Sequence, residues 1–282
     1  MEKYSYSKIT KFFDCPFSYF QRYVNSRPEE GHGTSQFGSL VHYILEMYSK
    51  GEIAREDMAK FYIQNYGNYV QDTLTLKLSE TFEKNMENYY YDDGLNYLLH
   101  FKGFPAEWVK ILDVEYDFTE NIEDRFLFTG KIDLVVEDKD GNIIICDHKS
   151  KNGFKKDELA KYGRQLYLYA YAVKQKYGKY PTKLVFNVFR KGIYEEIEFD
   201  IDEYNRVMKW AKDCVEEIEN TFDFSPIPWK DRGRDKWFWC WNFCGYRNDG
   251  LPECIEALSD TGEWYYEKTA TRSIWKDRPS QK

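Results

Sequence analysis

Asp147 and Lys149 stand at the end of an apolar run, "IIICDHKSKN", residues 143 to 152. In a strand side chains alternate, so Ile143, Ile145, Asp147 and Lys149 share one face, and Ile144, Cys146, His148 and Ser150 share the other. Both faces begin apolar, the pattern of a central strand. Its C-terminal end must open into a cleft, or a carboxylate and an ammonium would not be tolerated there. A second acid, Asp133, interrupts "GKIDLVVE", and a third, Glu115, interrupts "LDVEYDF". Carboxylates gathered on neighbouring strands repel unless a positive charge lies between them. A hard divalent cation such as Mg²⁺, which takes oxygen ligands and keeps several waters, is the natural counter-charge. Lys149 adds a point charge that can steady a developing phosphate charge or help activate a water. Taken singly these residues are ordinary. An Asp-x-Lys at a strand end is usually a solvated surface pair, and Asp133 alone fits a hairpin residue satisfied by backbone groups. The case rests on the constellation.

The elements that must position these residues can be read from period and punctuation. The Asp-Gly pair in "KDGN", between two apolar runs, is a hairpin signal, so the strands of Asp133 and Asp147 are antiparallel neighbours. "KILDVEYDFTE", "RFLFTGKIDLVVED" and "IIICDHKS" are predicted strands. A helix from about Lys156 to Tyr177, stopped by Gly178, leads to two more strands, "KLVFNVFRKG" and "YEEIEFDI", and a long helix, "DEYNRVMKWAKDCVEEIENTF". Upstream, to about residue 110, the pattern is helical. "SKITKFFDCPFSYFQRYV" breaks at Pro16, "QFGSLVHYILEMYSKG" ends at Gly51, and residues 55 to 100 continue the helical reading. Past Pro226 the chain reads as Trp-rich and irregular. The order predicts an α/β core inside a helical surround.

Composition sets outer bounds. The net charge of −8 argues against a protein that coats nucleic acid by bulk charge, while leaving room for a local basic groove. No apolar run is long enough to span a membrane. The opening "MEKYSYSKIT" lacks an apolar signal core, so the expected location is cytoplasmic. Aromatic residues make up 19% of the chain, and with many Lys and Asn this fits an AT-rich coding genome and tilts the expected setting toward phage. The six cysteines are Cys15, Cys146, Cys214, Cys240, Cys244 and Cys254. Disulfides are a poor explanation in an intracellular chain. Three cysteines near the C-terminus point to metal or cluster ligation, and Cys146 and Cys214 read as core. No Gly-rich phosphate loop is present, so no ATPase or helicase activity is expected.

"GKIDLVVEDKDGNIIICDHKSK" resembles the core of the PD-(D/E)XK nucleases, whose metal site uses one acid on the second strand and an acid-x-Lys on the third. Asp133, Asp147 and Lys149 match those positions. More specifically the chain resembles the RecB-like branch, with the nuclease domains of RecB and AddB and the CRISPR-associated single-domain exonucleases. That branch carries a helical G-x-x-x-H whose His is a metal ligand, and Gly38 and His42 in "FGSLVHYILE" match it. Taken without the rest, His42 would read as a histidine on a polar helix face. The branch also carries Q-x-x-x-Y, matched by Gln165 and Tyr169 in "GRQLYLYAYA", which share one helical face. The resemblance implies that this pair orients the lysine and holds the DNA strand. Helix packing beside Tyr167 and Tyr171 is the plain alternative. Finally, Cys15 in "KITKFFDCPFSYF" matches an N-terminal Cys-Pro signature, and Cys240, Cys244 and Cys254 match a C-terminal group, of a 4Fe-4S cluster. Such a cluster would staple a very long loop. The gaps between the C-terminal cysteines are longer than the family's, so zinc on the same thiolates, or a site with no metal, stand as alternatives.

The resemblance implies a PD-(D/E)XK restriction-endonuclease-like α/β core, a central mixed sheet flanked by helices, with an N-terminal helical region and a C-terminal cysteine-ligated staple. It implies one nuclease domain over 1–254 (helical region 1–110, catalytic core 111–200, C-terminal helix and cysteine cluster 201–254) and a tail over 255–282. The implied activity is a metal-dependent DNA exonuclease acting on single-stranded or frayed ends in recombination, repair or degradation. His42, Asp133, Asp147 and the backbone carbonyl of His148 would hold one or two Mg²⁺ or Mn²⁺ ions, Lys149 would position or activate water, and Glu115 would support a ligand through water. Gln165 and Tyr169 would contact DNA, with Arg164, Lys151, Lys155 and Lys156 as candidate phosphate contacts. Partners expected are DNA, a further copy of the chain or a helicase, and no membrane. Two alternatives stand beside this: an inactive DNA-binding module of a recombination or CRISPR-adaptation complex, and an RNA nuclease using the same site.

Overall fold

A computed structural model describes residues 1–29, 31–77, 83–227, 234–248, 250, 251 and 254. The chain begins with a short strand, β1 (Lys3–Tyr4), and helix α1 (Tyr6–Asp14). Proline disfavours helix in the residue before it, so Cys15 is extended and the helix restarts at α2 (Pro16–Tyr19), passing into a π-helical turn over Phe20–Val24. Helices α3 (Gly33–Ser49) and α4 (Arg55–Tyr69) follow. The continuous helical pattern expected over residues 55 to 100 is interrupted by a hairpin of β2 (Thr75–Lys77) and β3 (Glu83–Asn85) before α5 (Glu87–His100). Strands of three residues are too short to show an alternating period. Asn85 then starts α5 by accepting the Glu87 N–H at 2.8 Å.

Next come β4 (Trp108–Ile122), β5 (Phe126–Asp138), β6 (Ile143–Lys149), α6 (Lys156–Tyr177), β7 (Lys183–Val188), β8 (Ile193–Glu198) and α7 (Ile201–Glu219). Glu123 and Asp124, both left-handed with φ of 50° and 56°, turn β4 into β5 in a three-residue connection in which the Arg125 N–H donates to the Ile122 carbonyl at 3.0 Å. In the expected "KDGN" turn, Asp138 Oδ1 accepts the N–H groups of Asp140 and Asn142, both at 2.9 Å. Two further helices, α8 (Arg234–Phe243) and α9 (Gly245–Asn248), occupy the stretch read as irregular.

The chain divides into two compact units. The first comprises Met1–Ile9, Gly33–Gln71 and Asn88–Glu219. Its sheet runs β1-β5-β6-β7-β8, with β4 on the other side of β5. β5 and β6 are antiparallel (Leu134 opposite Cys146), whereas β6 and β7 are parallel (Cys146 opposite Val185) and are linked by the α6 crossover. The sheet is mixed, as expected. On β6 Ile143, Ile144, Ile145 and Cys146 are all buried, so both faces are covered. One core cluster joins Phe37, Leu40, Val41, Ile44 and Leu45 of α3 to Met58 and Tyr62 of α4, Tyr97 of α5, and Phe189. The apolar recurrence at three and four residues along α3 is the stripe of a helix buried on one side. Cys146 and Cys214 lie in the core of this unit, as read from the sequence.

The second unit takes its described residues from Thr10–His32, Asp72–Glu87 and the chain after Glu219. Phe12, Tyr19 and Phe20 pack around Phe224. The tail expected over 255–282 lies outside the described residues. No helix among the described residues is long and apolar enough to cross a membrane.

Candidate active site

β6 delivers Asp147 and Lys149 to one face at its end, and α6 lies over them. Lys149 Nζ stands 2.7 Å from Asp147 Oδ2 and donates to Gln165 Oε1 at 3.0 Å. Gln165 Nε2 in turn donates to the Tyr169 hydroxyl at 2.7 Å. The i, i+4 pair on α6 therefore links the lysine to Tyr169 through Gln165. Tyr169 reaches this position because β5 has no side chain at Gly130. A Cβ there would stand 2.8 Å from the Tyr169 ring and 2.8 Å from Phe118.

Asp133 lies on β5 one residue beyond the paired Leu134 and Cys146. Its Oδ2 accepts the backbone N–H of His148 at 2.7 Å, tying the two acid-bearing strands together. His42, on α3, brings Nδ1 to 3.5 Å from the same oxygen. The glycine four residues earlier lets the helix close in: a Cβ on Gly38 would meet Ser150 Oγ at 3.2 Å. Sheet and helix thus bring His42, Asp133, Asp147, Lys149, Gln165 and Tyr169 together.

The electrostatics follow from burial. Loss of water is the largest influence on both acids and pushes the Asp133 and Asp147 carboxyls above the ordinary value, since the charged form is penalised. His42 and the His148 N–H oppose this at Asp133, and Lys149 opposes it at Asp147. Burial also lowers His148 to about 3, so its imidazole is neutral. Asp147 Oδ2 is buried and, although within ion-pair distance of Lys149, has no well-aligned hydrogen bond. Two buried carboxylates and an imidazole, Asp133, Asp147 and His42, are donor types suited to a small hard cation. No three His, Cys, Asp or Glu side chains stand close enough together to hold a metal ion among the described residues, and Lys149 supplies the positive charge beside Asp147.

A scan against family models matches residues 3–248 to the PD-(D/E)XK nuclease superfamily. The chain belongs to that superfamily. Its members typically use divalent metals such as Mg²⁺, and their substrate is DNA. No curated protein matches the chain. Among solved structures it is similar to a protein from Eubacterium rectale provisionally assigned as an exonuclease, at 14% identity and a TM-score of 0.49, over 82% of this chain and 86% of that one.

Within the PD-(D/E)XK frame, the remaining expected residues fall in different places. Glu115 sits in β4 with φ of 53°, a strained conformation for a residue with a side chain, and its Oε2 pairs with Lys131 at 2.8 Å. The Arg164 guanidinium lies over the Trp210 ring at 4.7 Å. Lys151 Nζ lies over the Tyr162 ring at 3.9 Å and stands 3.4 Å from Glu158. Lys155 caps α6, its N–H donating to Glu158 Oε2 at 3.1 Å, and the side chain of Lys156 lies outside the described residues. Asn187 and Tyr97 stand behind His148 and were not expected from the sequence. The available signal was an Asn inside the apolar strand "KLVFNVF", since a buried amide requires a partner.

In the second unit, Cys15, Cys240, Cys244 and Cys254 are all buried in one cluster with Phe17, Tyr246 and Leu251. None is in a disulfide. Cys240 lies in α8 and Cys244 just past its end, and Tyr246 donates to the Arg27 carbonyl at 2.8 Å.

Proposed function

We propose that the protein is a metal-dependent deoxyribonuclease of the RecB-like branch, acting as an exonuclease on single-stranded or frayed DNA ends. The observation that carries this is the buried ion pair of Asp147 with Lys149, the lysine held by Gln165, beside Asp133. His42, Asp133, Asp147 and the backbone carbonyl of His148 would hold one or two Mg²⁺ or Mn²⁺ ions. A bound cation supplies charge stabilisation at a phosphoryl oxygen and makes a coordinated water more acidic. Lys149, with Gln165 fixing its Nζ, donates to the developing phosphorane charge or to the attacking water. Glu115 supports the ligand set through water. Gln165 and Tyr169 face the strand, and Lys151 and Arg164 reach phosphates only by leaving their aromatic partners. End preference, and a setting in DNA recombination, repair or degradation in a bacterial or phage-infected cytoplasm, rest on family analogy. The four buried thiols share one apolar cluster and would hold a structural 4Fe-4S cluster or zinc only by drawing closer than they stand here.

The test is digestion of end-labelled single-stranded DNA, duplex DNA and RNA with Mg²⁺ or Mn²⁺, by the parent and by Asp147→Ala. Loss of cleavage with DNA binding retained supports the enzyme. Weak activity unchanged by the substitution overturns it in favour of a DNA-binding module. Equal cutting of RNA assigns the site to the wider phosphodiesterase reading.

A further inference from the structure

The face of β6 opposite Asp147 and Lys149 carries the His148 side chain, which the proposed chemistry does not use. It is only 3% exposed, and two rings and an amide confine it. Phe104 stacks on it with centres 6.2 Å apart and planes within 5°. His42 meets it nearly at right angles, 5.5 Å between centres. Asn187, directly opposite on β7, brings Nδ2 to 3.1 Å from His148 Nδ1, and the same Nδ2 donates to the Tyr97 hydroxyl at 2.9 Å. The amide thus gives one hydrogen to each neighbour, which makes Nδ1 an acceptor and leaves the ring proton on Nε2.

The arrangement is costly to the core. Asn187 Oδ1 is buried without a hydrogen-bond partner, among Phe and Tyr side chains that an apolar residue would join more readily. Local rules of this kind are broken where a functional group must be held. The group held here is His42, whose other ring contact is Phe189, at 6.0 Å and 79°. Two edge contacts on one imidazole restrict its rotation, and Nδ1 is left toward Asp133.

We infer that His148, locked by Asn187 and Tyr97, is a positioning residue: its ring braces His42 against Asp133, and its anchored backbone keeps the His148 carbonyl in place. The inference rests on the reading of His42, Asp133 and Asp147 as metal ligands. It assigns a job to a side chain within the Asp-x-Lys motif that points away from the substrate.

The test uses the full-length chain labelled with ¹⁵N-histidine, whose four histidines are few enough to resolve. Long-range ¹H–¹⁵N spectra report the tautomer of each ring, and electron paramagnetic resonance of free Mn²⁺ reports metal affinity without any turnover. In the parent, one histidine is fixed as the neutral Nε2–H form. In Asn187→Leu that signature is lost and Mn²⁺ binds about tenfold more weakly, the range seen when partners behind a metal ligand are removed. Tyr97→Phe keeps the core ring, stays folded, and shifts both readouts in the same direction by less. Folded Asn187→Leu and Tyr97→Phe with parental Mn²⁺ affinity would overturn the brace. Asp147→Ala separates the two levels. If it abolishes Mn²⁺ binding while the Asn187 and Tyr97 variants bind normally, only the brace fails. If it binds Mn²⁺ like the parent, the ligand reading fails and the brace falls with it.

Discussion

The oxygen-rich cluster at the end of β6 and the sulfur-rich cluster around Cys15 are built by opposite means. The first uses charged groups that burial penalises, held by directional bonds: Asp133 to the His148 N–H, Lys149 to Gln165, Gln165 to Tyr169. The second uses thiols that already behave as small apolar side chains and sit among Phe17, Tyr246 and Leu251. The difference teaches where each cluster's contribution lies. Removing a charged group from the first removes chemistry and costs the fold little, because the desolvation it suffers offsets the bonds it makes. Removing one from the second weakens the fold and touches chemistry little.

The strongest way to break this contrast is Asp147→Asn. Cleavage is expected to fall on the order of 10³-fold, as when a preorganised charge-stabilising group is lost. The melting temperature changes far less than the rate, because relief of a desolvated carboxylate is offset by loss of its ion pair with Lys149. A parallel drop in stability and rate would erase the distinction. Next in size is Cys244→Ala, expected to lower the melting temperature by roughly 5 °C or more if the thiols hold a metal. Rate per folded molecule should change far less than in Asp147→Asn, which single-turnover digestion below the melting range measures.

Gly130→Ala sharpens the first half of the comparison. The added methyl must displace Tyr169 or Phe118, and through Gln165 it disturbs Lys149. A roughly tenfold loss of rate is expected from misplacing a catalytic group. A cycle with Tyr169→Phe tests the route, since the Gly130→Ala effect should shrink when the hydroxyl is already absent.

The smallest effect is in pH. A carboxyl raised in the folded state binds protons more tightly there than in the unfolded chain, so without metal it destabilises as pH rises from near 3.8 through its folded value. His148, lowered to about 3, acts in the opposite sense, and its contribution is lost as pH falls below 6.5. The difference between parent and Asp147→Asn isolates the first effect. Denaturant titrations of the metal-free proteins across pH 4 to 7 (roughly the window of these carboxyl and imidazole groups) should show a less negative slope in the variant.

The legible parts of the molecule were those in which one local signal decided the outcome. "KDGN" fixed the β5–β6 register, and Gly178 marked the end of α6. Asp147 and Lys149 were visible because charges interrupt an apolar run. Tertiary choices were not legible. The β2–β3 strands carry too few residues for a period, and the composition of α8 masked its helix. Arg164 and Lys151 are near the site in sequence, yet each lies on an aromatic ring. Asn187 finds its partners on β6 and α5, which no spacing within its own strand could reveal.

The pairing of β1 with β5 has a consequence for synthesis. Lys3 and Tyr4 are synthesised well before their parallel partners, Leu127 and Phe128. The hairpins and the α6 crossover that carry Asp133 to Tyr169 need only their own sequence neighbourhood to form. The β1 segment must therefore stay unpaired while most of the sheet is still unmade. β1 is the long-range clasp of this sheet, closed only after β5 exists, and closing it bears the largest loop-closure entropy of any strand pairing described here.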